Sequence, residues 1–111
     1  MRIILEKNPQ PSQVAYDDTD GKFYLNEDQE ILYIGPGESK PWYVNANLSD
    51  FIRSVTEYES YCANVSKPMS EDEQLKIVRE FTRKLQRIED FEKKNRSYWE
   101  CIIEQAEHGQ I

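Results

Sequence analysis

Histidine and cysteine are scarce in this chain of 111 residues, which contains one histidine and two cysteines. Ser-His-Asp and Cys-His mechanisms need a firmly held imidazole, yet the single histidine, His108, lies among the last residues, where chains tend to fray. A zinc site needs several His or paired Cys ligands. The sequence therefore argues against these catalytic and metal sites, and we expect neither an enzyme nor a bound cofactor.

Long apolar runs and export signals are also missing. Residues 1–5 hold too few apolar positions for a signal peptide, and no segment approaches the length of a membrane span. The two cysteines, Cys62 and Cys101, are not part of a CxxC motif. We expect a cytoplasmic protein with reduced thiols and no contact with membranes.

Basic residues are outnumbered, because 14 Lys and Arg face 21 Asp and Glu, for a net charge of −7 and an isoelectric point near 4.7. Nucleic-acid binding depends mainly on clustered Lys and Arg, so we expect no direct nucleic-acid partner. Aromatic residues, in contrast, make up 12% of the sequence and hydrophobic residues 38%. This composition is typical of one globular domain with an aromatic core.

The first part of the chain has the pattern of strands and turns. Asp20-Gly21 lies between two apolar segments, which predicts a hairpin closed by a type I′ turn. A second turn is predicted over residues 26–28. Residues from about 2 to 45 therefore predict an antiparallel meander of about three to five strands, with an edge strand over residues 2–5.

The second part has the pattern of helices. Asn47 and Ser70 are suited to cap two of them, and a last helix is predicted from about Ser97. The predicted apolar stripes of the first two are Leu48, Phe51, Ile52, Val55, Tyr58 and Cys62, then Leu75, Val78, Phe81, Leu85 and Ile88. Strands first and helices afterwards indicate a single α+β domain over residues 1–111, with two or three helices, from about 47 to 108, packed on one face of the sheet.

One alternative function is calcium binding by a loop. Asp18, Asp20, Gly21 and Glu27 match the third, fifth, sixth and twelfth positions of the EF-hand pattern. The first position would be Tyr16, however, and the flanks are strand-like where the motif requires helices. Calcium binding is therefore a minor interpretation.

Two further alternatives rest on charge. The many carboxylates allow pairs suited to a hydrolase, although nothing in the sequence singles out one pair. Residues 76–96 are rich in Lys and Arg, but interleaved acids favour a solvated helix over an RNA-binding stripe. Both interpretations stay secondary.

Two stretches of the sequence resemble one protein family. In residues 33–37 and 42–52, a Gly-Pro-Gly break precedes an aromatic residue, Val, Asn and then Leu and Phe-Ile at a strand-to-helix junction. In residues 88–104, an aromatic-Trp pair precedes an aliphatic helix. Both resemble the SUKH superfamily of bacterial toxin-immunity proteins, which also includes yeast cell-wall regulators, and more narrowly its fourth group. The motif residues are Gly35, Trp42, Val44, Asn45, Asn47, Phe51 and Trp99.

These motif residues also have a structural interpretation. Asn45 suits a strand exit and Asn47 a helix cap. Trp42, Val44, Phe51 and Trp99 are typical core residues, and we expect them to be buried and not to line a ligand pocket.

The resemblance implies an immunity protein that binds a cognate toxin domain, of nuclease or deaminase type, and blocks it without catalysis. Family members usually carry an additional helix before the sheet, so the resemblance implies either a short or minimal member or one whose start has been lost. The alternative is a non-enzymatic adaptor or regulatory module, as for the eukaryotic relatives.

Acidic residues concentrate around the two predicted hairpin turns. They are Asp17, Asp18, Asp20, Glu27, Asp28 and Glu30. Exposed like charges raise solubility, and they would also steer a basic toxin domain toward the protein. We expect these six residues to form a partner-binding patch on a monomer or a weak homodimer paired through the edge strand.

Overall fold

Five short strands precede three helices in a computed structural model that describes residues 2–6, 12–91, 94 and 96–108. The strands are β1 (Ile3–Leu5), β2 (Gln13–Asp17), β3 (Lys22–Leu25), β4 (Ile31–Ile34) and β5 (Trp42–Asn45). The helices are α1 (Leu48–Val65), α2 (Glu71–Ile88) and α3 (Tyr98–Glu107). This order confirms the predicted α+β fold.

The strands form one sheet in the order β1-β2-β3-β4-β5, and each strand is antiparallel to the next. The predicted meander is therefore confirmed. In such a sheet successive connections lie at opposite ends. We name the end with the β2–β3 and β4–β5 connections the Asp20 end, and the end with the β3–β4 connection and the start of α1 the Asp28 end.

Both central hairpins close through three-residue loops. The Asp17 N–H donates to the Gly21 carbonyl at 3.0 Å, and the last loop residue, Asp20, has a φ of 70°. The β3–β4 loop repeats the arrangement, with Gln29 at a φ of 65°. Because Gly21 is not at positive φ, the predicted type I′ turn at Asp20-Gly21 is wrong, and the positive φ belongs to the aspartate.

Each helix begins at a side-chain cap. Asn47, Ser70 and Ser97 each accept the backbone N–H three residues further on, at 2.8, 3.2 and 3.4 Å respectively. A cap of this kind satisfies an amide that the helix leaves without a partner. The predicted caps are confirmed, and so are the helix starts that they mark.

The core lies between the sheet and the helices, and its centre is aromatic. Phe23 from β3 has its ring centroid 4.8 Å from that of Tyr33, 5.1 Å from that of Phe51 and 5.3 Å from that of Tyr98. Tyr98 in turn packs edge-on against Trp99 at 5.2 Å. Each such side chain contributes about 1.5–3 kcal/mol when removed from water. This confirms the aromatic core expected from the composition.

The predicted helix stripes are partly wrong. Leu48, Ile52 and Leu75 are 39%, 42% and 42% exposed. On α1 the buried side is turned toward Ser54 and Tyr61, because the helix packs against both the sheet and α2. The three exposed residues lie beside the contact face and not within it.

Candidate functional site

Asp17 does not belong to the exposed acidic set in which the sequence placed it. It is only 1% exposed, and its Oδ1 accepts the N–H of Thr19 at 3.0 Å, the hydroxyl of Thr19 at 2.7 Å and the N–H of Gly21 at 2.8 Å. Its Oδ2 accepts the Tyr33 hydroxyl at 2.5 Å. Asp17 thus closes the hairpin onto the core, and its place in a docking patch is corrected.

These hydrogen bonds decide the charge of the buried carboxyl. Burial by itself would raise the pKa of Asp17, but the bonds from Tyr33, Thr19 and Gly21 outweigh it and hold that pKa below its ordinary value. Burial and the neighbouring Asp17 carboxylate raise the pKa of Tyr33. At neutral pH the pair is therefore a carboxylate and a protonated phenol, joined by a charge-assisted hydrogen bond.

Gly21 is required by this pair and not by its own backbone angle. A Cβ at Gly21 would lie 2.0 Å from the Tyr33 Oη. Any larger residue must push Tyr33 away from Asp17 or move the turn. The Asp-Gly sequence therefore predicts the hairpin correctly, but the glycine allows the close approach of Tyr33 from the neighbouring strand β4.

The other five acids do not form one patch. Asp18 and Asp20 lie at the Asp20 end of the sheet, whereas Glu27, Asp28 and Glu30 lie at the Asp28 end. The length of β3 separates the two groups by about 15 Å, at about 3.3 Å per residue. The single patch expected from the sequence is wrong, because consecutive hairpins of a meander point in opposite directions. The same separation of Asp20 from Glu27 rules out the calcium loop.

Four of these acids are open to a partner. Asp18, Asp20, Glu27 and Asp28 are exposed, and none of them forms an ion pair with a described residue. Glu30 is half-buried, and its carboxylate accepts the side-chain amide of Asn26 at 3.0 Å. Within the described part of the chain, no group of three or more His, Cys, Asp or Glu could hold a metal ion.

The motif residue Asn45 is the centre of a buried polar network. It is 1% exposed, and its Oδ1 accepts the indole N–H of Trp99 at 3.0 Å. Its Nδ2 donates to Glu89 Oε1 at 3.2 Å and to Ser54 Oγ at 3.3 Å. Asn45 thereby links β5 to α1, to α3 and to the residue that follows α2.

Glu89 completes this network from the far end of α2. Its Oε1 accepts the N–H of Ala46 at 2.7 Å, and its Oε2 accepts the hydroxyl of Tyr43. No sequence signal identifies Glu89, since its partners lie more than 40 positions earlier in the chain. No local pattern marks such a residue.

Trp42 is only half-buried, and the prediction of a core position for it is wrong. Its indole N–H donates to Glu38 Oε2 at 3.0 Å, and the Arg96 guanidinium lies 4.0 Å from its ring centroid. Glu38 also accepts the N–H of Gly35 at 3.1 Å and pairs with Arg96 at 2.9 Å. Trp42 is thus held at the sheet edge. The other predicted core residues of the motif are fully buried: Val44, Phe51 and Trp99.

The motif residues therefore have structural partners, while the exposed acids lie at the two ends of the sheet. None of the helices in the described residues is long and apolar enough to cross a membrane. Comparisons with protein-family models, with curated proteins and with solved structures found no match to this chain.

Proposed function

We propose that this protein is a cytoplasmic immunity protein that binds a cognate toxin domain, of nuclease or deaminase type, and blocks it without catalysis. The observation that carries the proposal is the hydrogen bond between Trp99 and Asn45 at 3.0 Å. These residues belong to the two separate stretches that resemble the SUKH superfamily. The hydrogen bond joins the two stretches in one buried contact, which supports the interpretation that they form one structural motif.

The charge of the molecule supports a basic partner. The net charge is −7, and exposed carboxylates at both ends of the sheet lack ion-pair partners among the described residues. A nuclease or deaminase cleft carries Lys and Arg because its substrate carries phosphates. Acidic groups placed over such a cleft occupy its phosphate sites and speed association. Neutralisation then needs no chemistry from the immunity protein.

Co-expression tests the proposal. The protein encoded by the adjacent reading frame is expressed in a bacterial host with and without this chain. We expect growth arrest by the neighbour alone, rescue by the pair, and a purified complex with a Kd of about nanomolar or below. A neighbour without toxicity, or a toxic neighbour that this chain does not neutralise, would contradict the proposal.

A charge variant tests the steering by acids. Asp18→Asn combined with Asp20→Asn is expected to slow association with the toxin and to weaken its dependence on salt. The matched control neutralises two exposed acids on the helix side, Glu71→Gln and Asp72→Asn, with the same change in net charge. If both pairs of substitutions slow association with the toxin equally, only the total charge matters and not its position.

An adaptor or regulatory module is the second candidate. One observation favours it: the side of the sheet that faces away from the helices carries half-exposed apolar side chains. This observation does not depend on the family resemblance. A pull-down that recovers housekeeping proteins in place of a toxin would support the adaptor over the immunity protein.

A further inference from the structure

The side of β1 away from β2, which we name the β1 edge, is the open edge of the described sheet. At the opposite edge the Tyr43 N–H donates to the Arg96 carbonyl at 3.0 Å, and Tyr43 forms a parallel bridge with Ser97. No described segment pairs with the β1 edge in the same way. An uncovered strand edge presents unpaired backbone N–H and C=O groups, to which another strand can add.

The hydrogen bonds between β1 and β2 show which backbone groups point to the β1 edge. The Asp18 N–H donates to the Arg2 carbonyl at 3.1 Å, and the Glu6 N–H donates to a β2 carbonyl at 2.9 Å. Along an antiparallel strand, residues bonded to one neighbour alternate with residues that point the other way. Ile3 and Leu5 therefore direct their N–H and C=O groups away from β2, where a further strand could bind them.

The side chains of this segment are self-complementary in one register. From Arg2 to Glu6 the sequence is Arg-Ile-Ile-Leu-Glu. Antiparallel pairing of two copies, centred on Ile4, places Arg2 of each copy opposite Glu6 of the other. It also places Ile3 opposite Leu5, and these two residues exchange backbone hydrogen bonds. The charged residues then form the closer, non-hydrogen-bonded pairs, and opposite charges in such positions stabilise a strand pair.

Both charged side chains are available for this pairing. Arg2 is exposed and forms no ion pair with a described residue, its neighbour Asp18 included. Glu6 accepts the side-chain amide of Gln13 at 3.1 Å and forms no ion pair with a described cation. Leu5 is 39% exposed. A second β1 strand would cover Leu5 with an apolar side chain and give both charges a partner.

We propose that the β1 edge is the docking surface for a second copy of this chain, paired antiparallel about a two-fold axis at Ile4. The pairing joins the two five-stranded sheets into one continuous sheet. Because the chain covers the opposite edge of its own sheet, the assembly closes at two copies and does not extend into a filament. This inference goes beyond the proposed function and does not depend on it, since no toxin takes part.

The charges select this orientation and register. Parallel pairing in register would place Arg2 beside Arg2 and Glu6 beside Glu6, and like charges across a strand pair are unfavourable. Antiparallel pairing centred on Ile3 would oppose Arg2 to Ile4, and pairing centred on Leu5 would oppose Glu6 to Ile4. An unrelated strand would match both ends only with a base and an acid four residues apart. The segment supplies both halves of this match itself, which favours a second copy.

The pairing is weak, because β1 has only three residues and each copy carries a net charge of −7. So short a strand buries far less than the about 800 Å² that each partner contributes to a standard interface, and the two copies repel each other. We expect a dissociation constant on the order of 1 mM. The protein is therefore monomeric in dilute solution and pairs at high concentration.

A dilution series measures the pairing. Diffusion and ¹⁵N–¹H NMR spectra of the full chain are recorded from about 0.05 to about 3 mM protein, in about 0.15 M NaCl. We expect slower diffusion at high concentration, with amide shifts concentrated in Ile3–Leu5 and then in Gln13–Asp17. Constant diffusion up to the highest concentration, or shifts centred on the helices, would overturn the proposal.

Charge reversal tests the register. Arg2→Glu and Glu6→Arg each place like charges opposite each other at both ends of the pair, so each variant alone should dimerise at least about tenfold more weakly than wild type. A mixture of the two variants restores opposite charges at both ends. We expect it to form a heterodimer of about wild-type affinity. If the mixture associates no more than the separate variants, the proposed pairing is wrong.

Two exposed charges away from the β1 edge provide matched controls. Glu27→Arg and Lys40→Glu change the net charge by the same amounts as Glu6→Arg and Arg2→Glu, and each should dimerise like wild type. Equal weakening by the edge variants and the controls would refute the assignment of the surface. Thermal melting checks that each variant folds. The mixing experiment compares the same two variants apart and together, so it does not depend on a comparison with wild type.

Discussion

At the scale of single residues, Asp17 and Asn26 hold equivalent positions in the two central hairpins. A side-chain oxygen of each accepts the backbone N–H groups two and four residues further on, at distances from 2.8 to 3.0 Å. This Asx arrangement favours the three-residue loop in both cases. Only Asp17 is buried, charged and bonded to a core tyrosine, so only there does the loop depend on the protonation state of one group.

Removing the charge of Asp17 is expected to destabilise the fold. Asp17→Asn keeps the shape but replaces one acceptor oxygen by an NH₂ group, which should cost about 1–3 kcal/mol in the free energy of unfolding at pH 7. Urea denaturation measures the loss. Asp18→Asn, at the exposed next position, is the control and should change stability by less than about 0.5 kcal/mol.

Wild type and Asp17→Asn should also differ in how their free energy of unfolding depends on pH. Because the pKa of Asp17 is lower in the folded state than in the unfolded state, its contribution is fully present above about pH 4 and is lost as the pH falls through the folded-state pKa. The gap in stability between wild type and Asp17→Asn should therefore narrow as the pH falls below about 4. A constant gap would show that the charge of Asp17 does not stabilise the hairpin.

Gly21 gives a second prediction at this scale. In Gly21→Ala the new Cβ would meet the buried Tyr33 Oη, whereas in Gly35→Ala it would meet the carboxylate end of Glu38, which can swing toward solvent. We expect a loss of about 2 kcal/mol or more for the first variant and a clearly smaller loss for the second. Chemical denaturation of both variants measures the difference, and equal losses would contradict it.

At the scale of elements, the end of α2 is tied to the sheet through polar contacts. Glu89 and Asn45 bring the residue after α2, the end of β5 and the start of α3 to one place. Arg96 adds a backbone bond at the outer edge, where its carbonyl accepts the Tyr43 N–H at 3.0 Å. The helices are thus fixed to the last strand, which leaves β1 as the open edge of the described sheet.

Glu89→Gln tests this junction. One carboxylate oxygen becomes an NH₂ group, which faces the donors Asn45 Nδ2 and Ala46 N–H in one orientation and the Tyr43 hydroxyl, which can also accept, in the other. In both orientations the negative charge that strengthens these hydrogen bonds is lost. We expect a loss of about 1–3 kcal/mol in the free energy of unfolding, measured by thermal and urea denaturation. Glu80→Gln, on an exposed part of α2, is the control. If Glu89→Gln loses no more unfolding free energy than Glu80→Gln, the network does not contribute to stability.

Asn47→Ala tests the start of α1. The cap accepts the Asp50 N–H at 2.8 Å, and its removal should cost about 1 kcal/mol. Ser49→Ala in the same first turn keeps the cap and should leave stability within about 0.5 kcal/mol. Circular dichroism during denaturation measures both, and indistinguishable midpoints would contradict the assignment of the cap.

At the scale of the whole molecule, the excess of acids is distributed over both ends of the sheet. A net charge of −7 repels itself in the folded state more than in an expanded chain. It also disfavours association of two copies, which is why we expect a monomer or only a weak homodimer.

Adding salt to a solution of low ionic strength should therefore stabilise the protein. Raising NaCl from 0.01 M to 0.15 M shortens the screening length from about 30 Å to about 8 Å, so we expect Tm to rise by a few degrees. Light scattering over the same range should give the mass of one chain, 13.2 kDa. A falling Tm, or a stable dimer at low salt, would contradict this view of the charge.

The sequence by itself determined the α+β order, the meander, the helix starts and the aromatic core. These follow from local signals: alternating apolar residues, turn residues and capping side chains act over a few positions. Only the tertiary structure decided where individual charged and aromatic side chains lie. In it Asp17 is buried, Trp42 lies at the sheet edge, Glu89 binds Asn45, and the acids lie at the two ends of the sheet. Each of these outcomes depends on which distant elements meet in space.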